Sequence, residues 1–198
     1  MNKANRAFIF DLDGVITETS EYHFMAWKTV CKKIGYNLTR KKNEELKGVN
    51  RNKCLDMIME WAKIRLSEKE IQSLLEAKNN IYKDYIKDLN ENDVCEGVLN
   101  FINDAIKNNI KIALYSASRN AKRILCQLKI IDLFTVIIDG NNVSNTKPDP
   151  EGFKVAADLT KTNTKDCVVF EDSISGIEGA NKLNMYTVGI GSRDVLKN

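Results

Sequence analysis

The chain has no CxxC pair, no apolar run approaching the roughly 20 residues of a membrane-spanning helix, no internal repeat and no low-complexity segment. Its five cysteines, Cys31, Cys54, Cys95, Cys126 and Cys167, are odd in number and scattered. That argues against a disulfide framework or a zinc site, and for reduced thiols in the cytoplasm. Neither sign of charge dominates, since 30 basic and 27 acidic residues leave a formal net charge of +3. Such a balance excludes attraction to nucleic acid or a membrane surface as the basis of function. The N-terminal MNKANRAFIFDLDG has too short an apolar stretch, followed too soon by charge, for a secretory pattern. What remains is 198 residues, 43% of them hydrophobic. That suffices for one domain with a real core, or for one carrying a smaller inserted domain.

Five short apolar runs read as strands: AFIF (7–10), IKIALY (110–115), TVIID (135–139), CVVF (167–170) and MYTVGI (185–190). Between the later ones, 97–108, 120–130 and 151–160 have helical period. Strands alternating with helices predict an α/β fold with a parallel sheet covered on both faces. Residues 20–88 contain no strand signal, only helical stripes. EYHFMAWKTVCKKIG stops at Gly35, NKCLDMIMEWAKI follows, and Ser67 with Glu70 forms a capping-box signature ahead of a third stripe. The expected organisation is a core of residues 1–16 and 89–198 with a helical cap of 17–88, tethered near 16–20 and 87–95.

Ligands of an open parallel sheet bind beyond the carboxyl ends of its strands, so the residues that follow each strand are the candidates. They are Asp11 and Asp13, then Ser116, then Lys147, then Glu171 and Asp172. Asp11, Glu171 and Asp172 form a hard-oxygen set for magnesium, and Ser116 and Lys147 suit phosphate oxygens. Asp11 could attack phosphorus as a nucleophile, and Asp13 could serve as general acid and base. A lone histidine, His23, lies just beyond, in the helical block.

DLDGVI, SAS, KPDP and EDS, in this order and spacing, resemble the four motifs of the haloacid dehalogenase-like phosphotransferases. The resemblance implies a Rossmann-like core, an inserted helical cap domain that closes over substrate, and a magnesium ion. DGVITETSEYHFMAWK followed by LKGVNR is also similar to a phosphomutase branch of that family. That branch interconverts β-D-glucose 1-phosphate and glucose 6-phosphate through a phosphoaspartate primed by β-glucose 1,6-bisphosphate. Carried over, Asp11 is the nucleophile, and Asp13 the acid/base whose backbone carbonyl also binds magnesium together with Glu171 and Asp172. Ser116, Ala117 and Lys147 hold the transferring phosphate. Arg51, Ser118, Arg119 and Asn120 hold the second one, and arginine stands at 119 where the family often has lysine. The resemblance also implies that His23 and Lys47, with the backbone at Gly48 and Val49, sense cap closure and position Asp13, and that Thr19 stands next to the acid/base.

Two alternatives stay open: a magnesium-dependent phosphatase of a small sugar phosphate on the same fold, and a catalytically silent binding protein. The expected partner is a small phosphorylated sugar, and the expected state is a monomer. The family pattern continues for a further strand and helix where this sequence ends in RDVLKN. The resemblance therefore implies a sheet with one strand fewer or a shortened chain, with an edge open to association.

Overall fold

The computed structural model describes residues 6–191. Five strands, β1 (Ala7–Phe10), β2 (Lys111–Tyr115), β3 (Val136–Ile138), β4 (Cys167–Glu171) and β5 (Tyr186–Gly189), form one parallel sheet in the order β3-β2-β1-β4-β5. Each expected strand is present within a residue or two. β1 is central, with Phe10 opposite Leu114 on one side and Phe170 on the other. The strand order reverses at β1, so its carboxyl end opens into the crevice where such sheets bind ligands.

Eight helices accompany the sheet among the described residues: α1 (Ser20–Lys33), α2 (Arg40–Glu44), α3 (Arg51–Ala62), α4 (Glu68–Tyr85), α5 (Val98–Lys107), α6 (Ala121–Gln127), α7 (Glu151–Leu159) and α8 (Ile174–Asn181). Side chains alternate across the strands and divide the core in two. Phe10, Ile112 and Leu114 pack with Ile102 of α5 and with Ile124 and Leu125 of α6. Ile9, Ala113 and Val169 face Phe153, Ala156 and Ala157 of α7 and Ala180 of α8. A third cluster lies wholly within α1–α4 and the loops joining them, built on Phe24, Trp27, Val30, Leu38, Leu55, Ile58 and Leu75. Its local signals are the expected ones. Gly35, at φ +72°, follows α1, and Ser67 and Glu70 complete a reciprocal capping box on α4. α2 and α8 were not anticipated as helices.

The two tethers of the helical block run side by side. Thr17 pairs with Val94, the Cys95 N–H donates to the Ile16 carbonyl at 2.9 Å, and the Thr17 hydroxyl donates to the Asp93 carbonyl at 2.8 Å. Apolar residues on both sides of the tethers, Leu12, Val15, Ile16, Ala26, Tyr82 and Ile86, join the core beneath α5 and α6. At the far edge, Tyr186 and Val188 of β5 are exposed. RDVLKN lies outside the described residues. No helix among the described residues is long and apolar enough to cross a membrane.

Candidate active site

The last rung of β1 fixes the first carboxylate, because the Asp11 N–H donates to the Phe170 carbonyl at 2.9 Å and holds Asp11 in line with the sheet. The chain then folds back, with the Leu12 carbonyl accepting from Ile16 and Thr17. Gly14 makes that turn at φ +90°, and a Cβ there would lie 2.5 Å from Asp172 Oδ2. Glycine is needed here for both its backbone and its absent side chain.

Asp11, Glu171 and Asp172 each offer an oxygen within 4.8 Å of one another. Lys147, fully buried, donates from Nζ to Asp11 Oδ1 at 2.5 Å, Glu171 Oε2 at 2.7 Å and the Tyr115 carbonyl at 3.2 Å. Glu171 Oε1 accepts from the Ser173 hydroxyl at 2.5 Å and from its N–H at 3.2 Å. Burial, followed by the Glu171 charge, pushes the Asp11 carboxyl well above the usual range. Burial likewise pushes Asp172 up to about 6. Burial alone would lower the Lys147 ammonium, but Asp11 and Glu171 outweigh it and hold it above its ordinary value. A crowd of hard oxygens with raised proton affinity fits a divalent cation such as magnesium, whose charge would relieve the repulsion.

Asp13, two residues on and lining the same cleft, has a different setting. Its Oδ1 accepts from the Thr19 hydroxyl at 2.5 Å and the Tyr82 hydroxyl at 3.2 Å, and His23 Nε2 stands 3.6 Å away. Burial raises its carboxyl, and the two hydroxyls oppose that rise. Lys78 Nζ lies 2.7 Å from His23 Nδ1. An ammonium donating there leaves the imidazole proton on Nε2, facing Asp13.

Asp11, Asp13, His23, Lys47, Gly48, Val49, Arg51, Asp172 and the loop Ser116–Asn120 line one cleft between sheet and helical block, holding about 880 Å³ of empty space partly open to solvent. Lys147 and Glu171 are buried outside this lining, and Thr19 is buried as Asp13's hydrogen-bond donor. The loop after β2 is shaped by its own hydroxyls, the Ser118 N–H donating to Ser116 Oγ and the Asn120 N–H to Ser118 Oγ. Arg51 is lowered first by burial and then by the charge of Arg119, and both guanidiniums belong to residues that line the cleft. The seam is closed by the Ser175 hydroxyl on the Lys47 carbonyl at 2.7 Å, the Asn50 N–H on Thr146 Oγ1 at 3.1 Å and the Lys47–Asp172 ion pair at 3.0 Å.

Sequence reasoning missed Lys78, Asn79 and Tyr82. Lys78 and Tyr82 are buried on α4 in one stripe with Leu75, and Asn79 Oδ1 accepts from Asn120 Nδ2 at 3.2 Å across the cleft. The available signal was a lysine falling in register with an apolar stripe.

The profile of the haloacid dehalogenase-like hydrolases matches residues 8–190. The chain belongs to that family. It is 40% identical over 188 residues to the β-phosphoglucomutase of Bacillus subtilis (strain 168), covering 94% of this chain and 83% of the relative. It is 31% identical over 177 residues to a phosphorylated carbohydrates phosphatase of Thermotoga maritima, covering 88% and 79%. The crystal structure of a β-phosphoglucomutase from Clostridium difficile superposes with a TM-score of 0.92 at 42% identity, over 98% of this chain and 87% of that one. The Rossmann-like α/β core expected from the motifs is thus the fold of this haloacid dehalogenase-like chain.

Proposed function

We propose that the chain is a magnesium-dependent β-phosphoglucomutase, interconverting β-D-glucose 1-phosphate and glucose 6-phosphate. The observation that carries this reading is positive charge at two places: Lys147, buried outside the lining, bonds Asp11, and Arg51 of the helical block and Arg119 of the core loop both line the cleft. A hydrolase of monophosphates has use for one such grip, whereas a bisphosphate that must reverse end for end needs two. The 40% identity to the B. subtilis β-phosphoglucomutase supports the same reading.

Magnesium, held by Asp11, Glu171, Asp172 and the Asp13 carbonyl, would supply the positive charge that lets an anionic phosphate approach a carboxylate. Asp11 carries the phosphoryl group as an acyl phosphate, primed by β-glucose 1,6-bisphosphate. In the forward direction the Asp13 carboxylate takes the proton of the 6-hydroxyl as that oxygen attacks the phosphoaspartate, and the Asp11–phosphorus bond breaks. The bisphosphate turns over. Asp11 then attacks the phosphorus at C1, and Asp13 returns its proton to the departing C1 oxygen. Ser116, Ala117 and Lys147 grip the moving phosphoryl group, while Arg51, Ser118, Arg119 and Asn120 hold the other. His23, through Lys78, and Thr19 orient Asp13. Lys47, Gly48 and Val49 seal residues 17–88, as a cap, against the core of 1–16 and 89–198. The working form is a cytoplasmic monomer acting on a small phosphorylated sugar.

Phosphorus NMR of the protein with magnesium, β-glucose 1-phosphate and a trace of β-glucose 1,6-bisphosphate tests this. Conversion to glucose 6-phosphate with little inorganic phosphate is expected, and Asp11→Asn should abolish it. Inorganic phosphate accumulating in step with substrate loss would replace the mutase by a phosphatase, the reading favoured by the T. maritima relative.

A further inference from the structure

Lys147 is enclosed on a second side by rings. Its Nζ lies 4.9 Å from the centroid of Tyr115 and 5.6 Å from that of Phe153. The two rings meet edge to face, 4.8 Å apart and at 89°. Tyr115 ends β2 and is fully buried, yet its hydroxyl has no hydrogen-bond partner among the described residues. What Tyr115 presents to the ammonium is therefore its ring and its carbonyl.

Room for that ring comes from one residue. Gly152 lies in the first turn of α7, and a Cβ built there would fall 2.2 Å from Tyr115 Cζ and 2.3 and 2.6 Å from its two Cε atoms. Glycine is a poor helix former, and its backbone here is not left-handed, so helix geometry does not call for it. The tyrosine and the glycine are two halves of one fitting.

We propose that Tyr115 is a positioning residue for Lys147, its ring forming a wall, admitted by Gly152, that fixes the ammonium toward the reacting phosphoryl group and keeps water from its other side. This rests on Lys147 gripping the transferring phosphate. Once Asp11 is phosphorylated, the ammonium must exchange a carboxylate oxygen for a phosphoryl oxygen. The Tyr115 carbonyl and ring stay where they are through both half-reactions, so the charge keeps its place while its partner changes. A desolvated ammonium–ring contact corresponds to roughly tenfold in rate or affinity.

The test compares Tyr115→Ala, Tyr115→Phe, Gly152→Ala, the double variant Tyr115→Ala/Gly152→Ala and Lys147→Ala. Each is measured by thermal melting, by kcat and KM, and by fluorine NMR titration with magnesium and beryllium fluoride, a tetrahedral phosphoryl mimic for Asp11. Tyr115→Ala should lower kcat and weaken fluoroberyllate binding by roughly tenfold each with little change in KM. Tyr115→Phe, which keeps the ring, should restore both to within about twofold. Gly152→Ala should melt far below the parent, and the double variant should melt above Gly152→Ala, though short of the parent for want of the buried ring, without regaining kcat. If kcat returns along with the fold in the double variant, the pair is only packing and the proposal is overturned. A full loss in Tyr115→Phe would overturn it too, by giving the hydroxyl the role. If Lys147→Ala is inactive while Tyr115→Ala turns over normally, the wall alone fails. If Lys147→Ala itself keeps full turnover, the assignment of Lys147 fails and takes the wall with it.

Discussion

Replacing Lys78 with methionine should make the protein more stable and less active. Lys78 is buried to 3% exposure, and desolvation lowers its amine from the ordinary 10.5 to about 7. That displacement corresponds to about 5 kcal/mol that the folded state loses relative to the unfolded chain at and below pH 7. Against it stand the bond to His23 Nδ1 at 2.7 Å and ring contacts at 5.3 Å to Trp27 and 4.7 Å to Tyr82. Methionine forfeits these, at roughly 1–3 kcal/mol together, while keeping the unbranched stem. The net gain at pH 7 is about 2–4 kcal/mol. The sign with pH follows from a base whose folded value is depressed: the unfolded chain binds more protons between about 7 and 10.5. The parent therefore gains stability across that window, and the advantage of Lys78→Met shrinks. Urea unfolding of both proteins at pH 7 and pH 9.5 measures the effect, and turnover of the variant should fall as His23 loses its partner. A methionine variant less stable than the parent at pH 7, or an advantage that grows with pH, would refute the reasoning.

The metal site gives a second pH dependence, with the opposite sign. Burial raises Asp172 from 3.8 to about 6, so the magnesium-free protein loses up to about 3 kcal/mol as pH climbs through that range. Magnesium should then raise the melting temperature more at pH 8 than at pH 5, and an equal shift at both would contradict it. Gly14→Ala forces a side chain at φ +90° and 2.5 Å from Asp172 Oδ2. It should cost about 1–3 kcal/mol in urea unfolding and weaken magnesium binding by calorimetry. Tyr82→Phe removes a donor 3.2 Å from Asp13 and should lower kcat by roughly tenfold with a smaller change in KM. Steady-state kinetics with kcat unchanged would take Tyr82 out of the acid/base setting.

The strands were legible because each is a short apolar run closed by a polar residue, and that closing residue is also where a parallel sheet places its chemistry. AFIF followed by Asp11 carries both facts at once. EDS shows how one triplet serves two ends. Glu171 and Asp172 join the acidic cluster, while the Ser173 hydroxyl accepts from the Gly176 N–H and caps α8. α8 itself was not seen, because ISGIEGAN has two glycines and a poor stripe. α2 has five residues, too few for a period. Lys78 and Tyr82 escaped because in sequence they occupy core positions of a helix, and only the approach of α4 to His23 and Asp13 makes them polar partners. Tyr115 with Gly152 was beyond reach for a different reason. The two are far apart in the chain, and their complementarity exists only where β2 passes α7.

The paired tethers limit what the helical block can do. Thr17 and Val94 form a bridge, and the Thr17 hydroxyl and the Cys95 N–H tie the two crossings together again. Two segments fastened to each other cannot swing separately, so the tethers serve the block as one hinge. Lys47, which pairs with Asp172, and Arg51, which lines the cleft, are carried on that same block. On the proposed function, sealing the cleft and gripping the second phosphate would then be one event, which would shield an acyl phosphate on Asp11 from water.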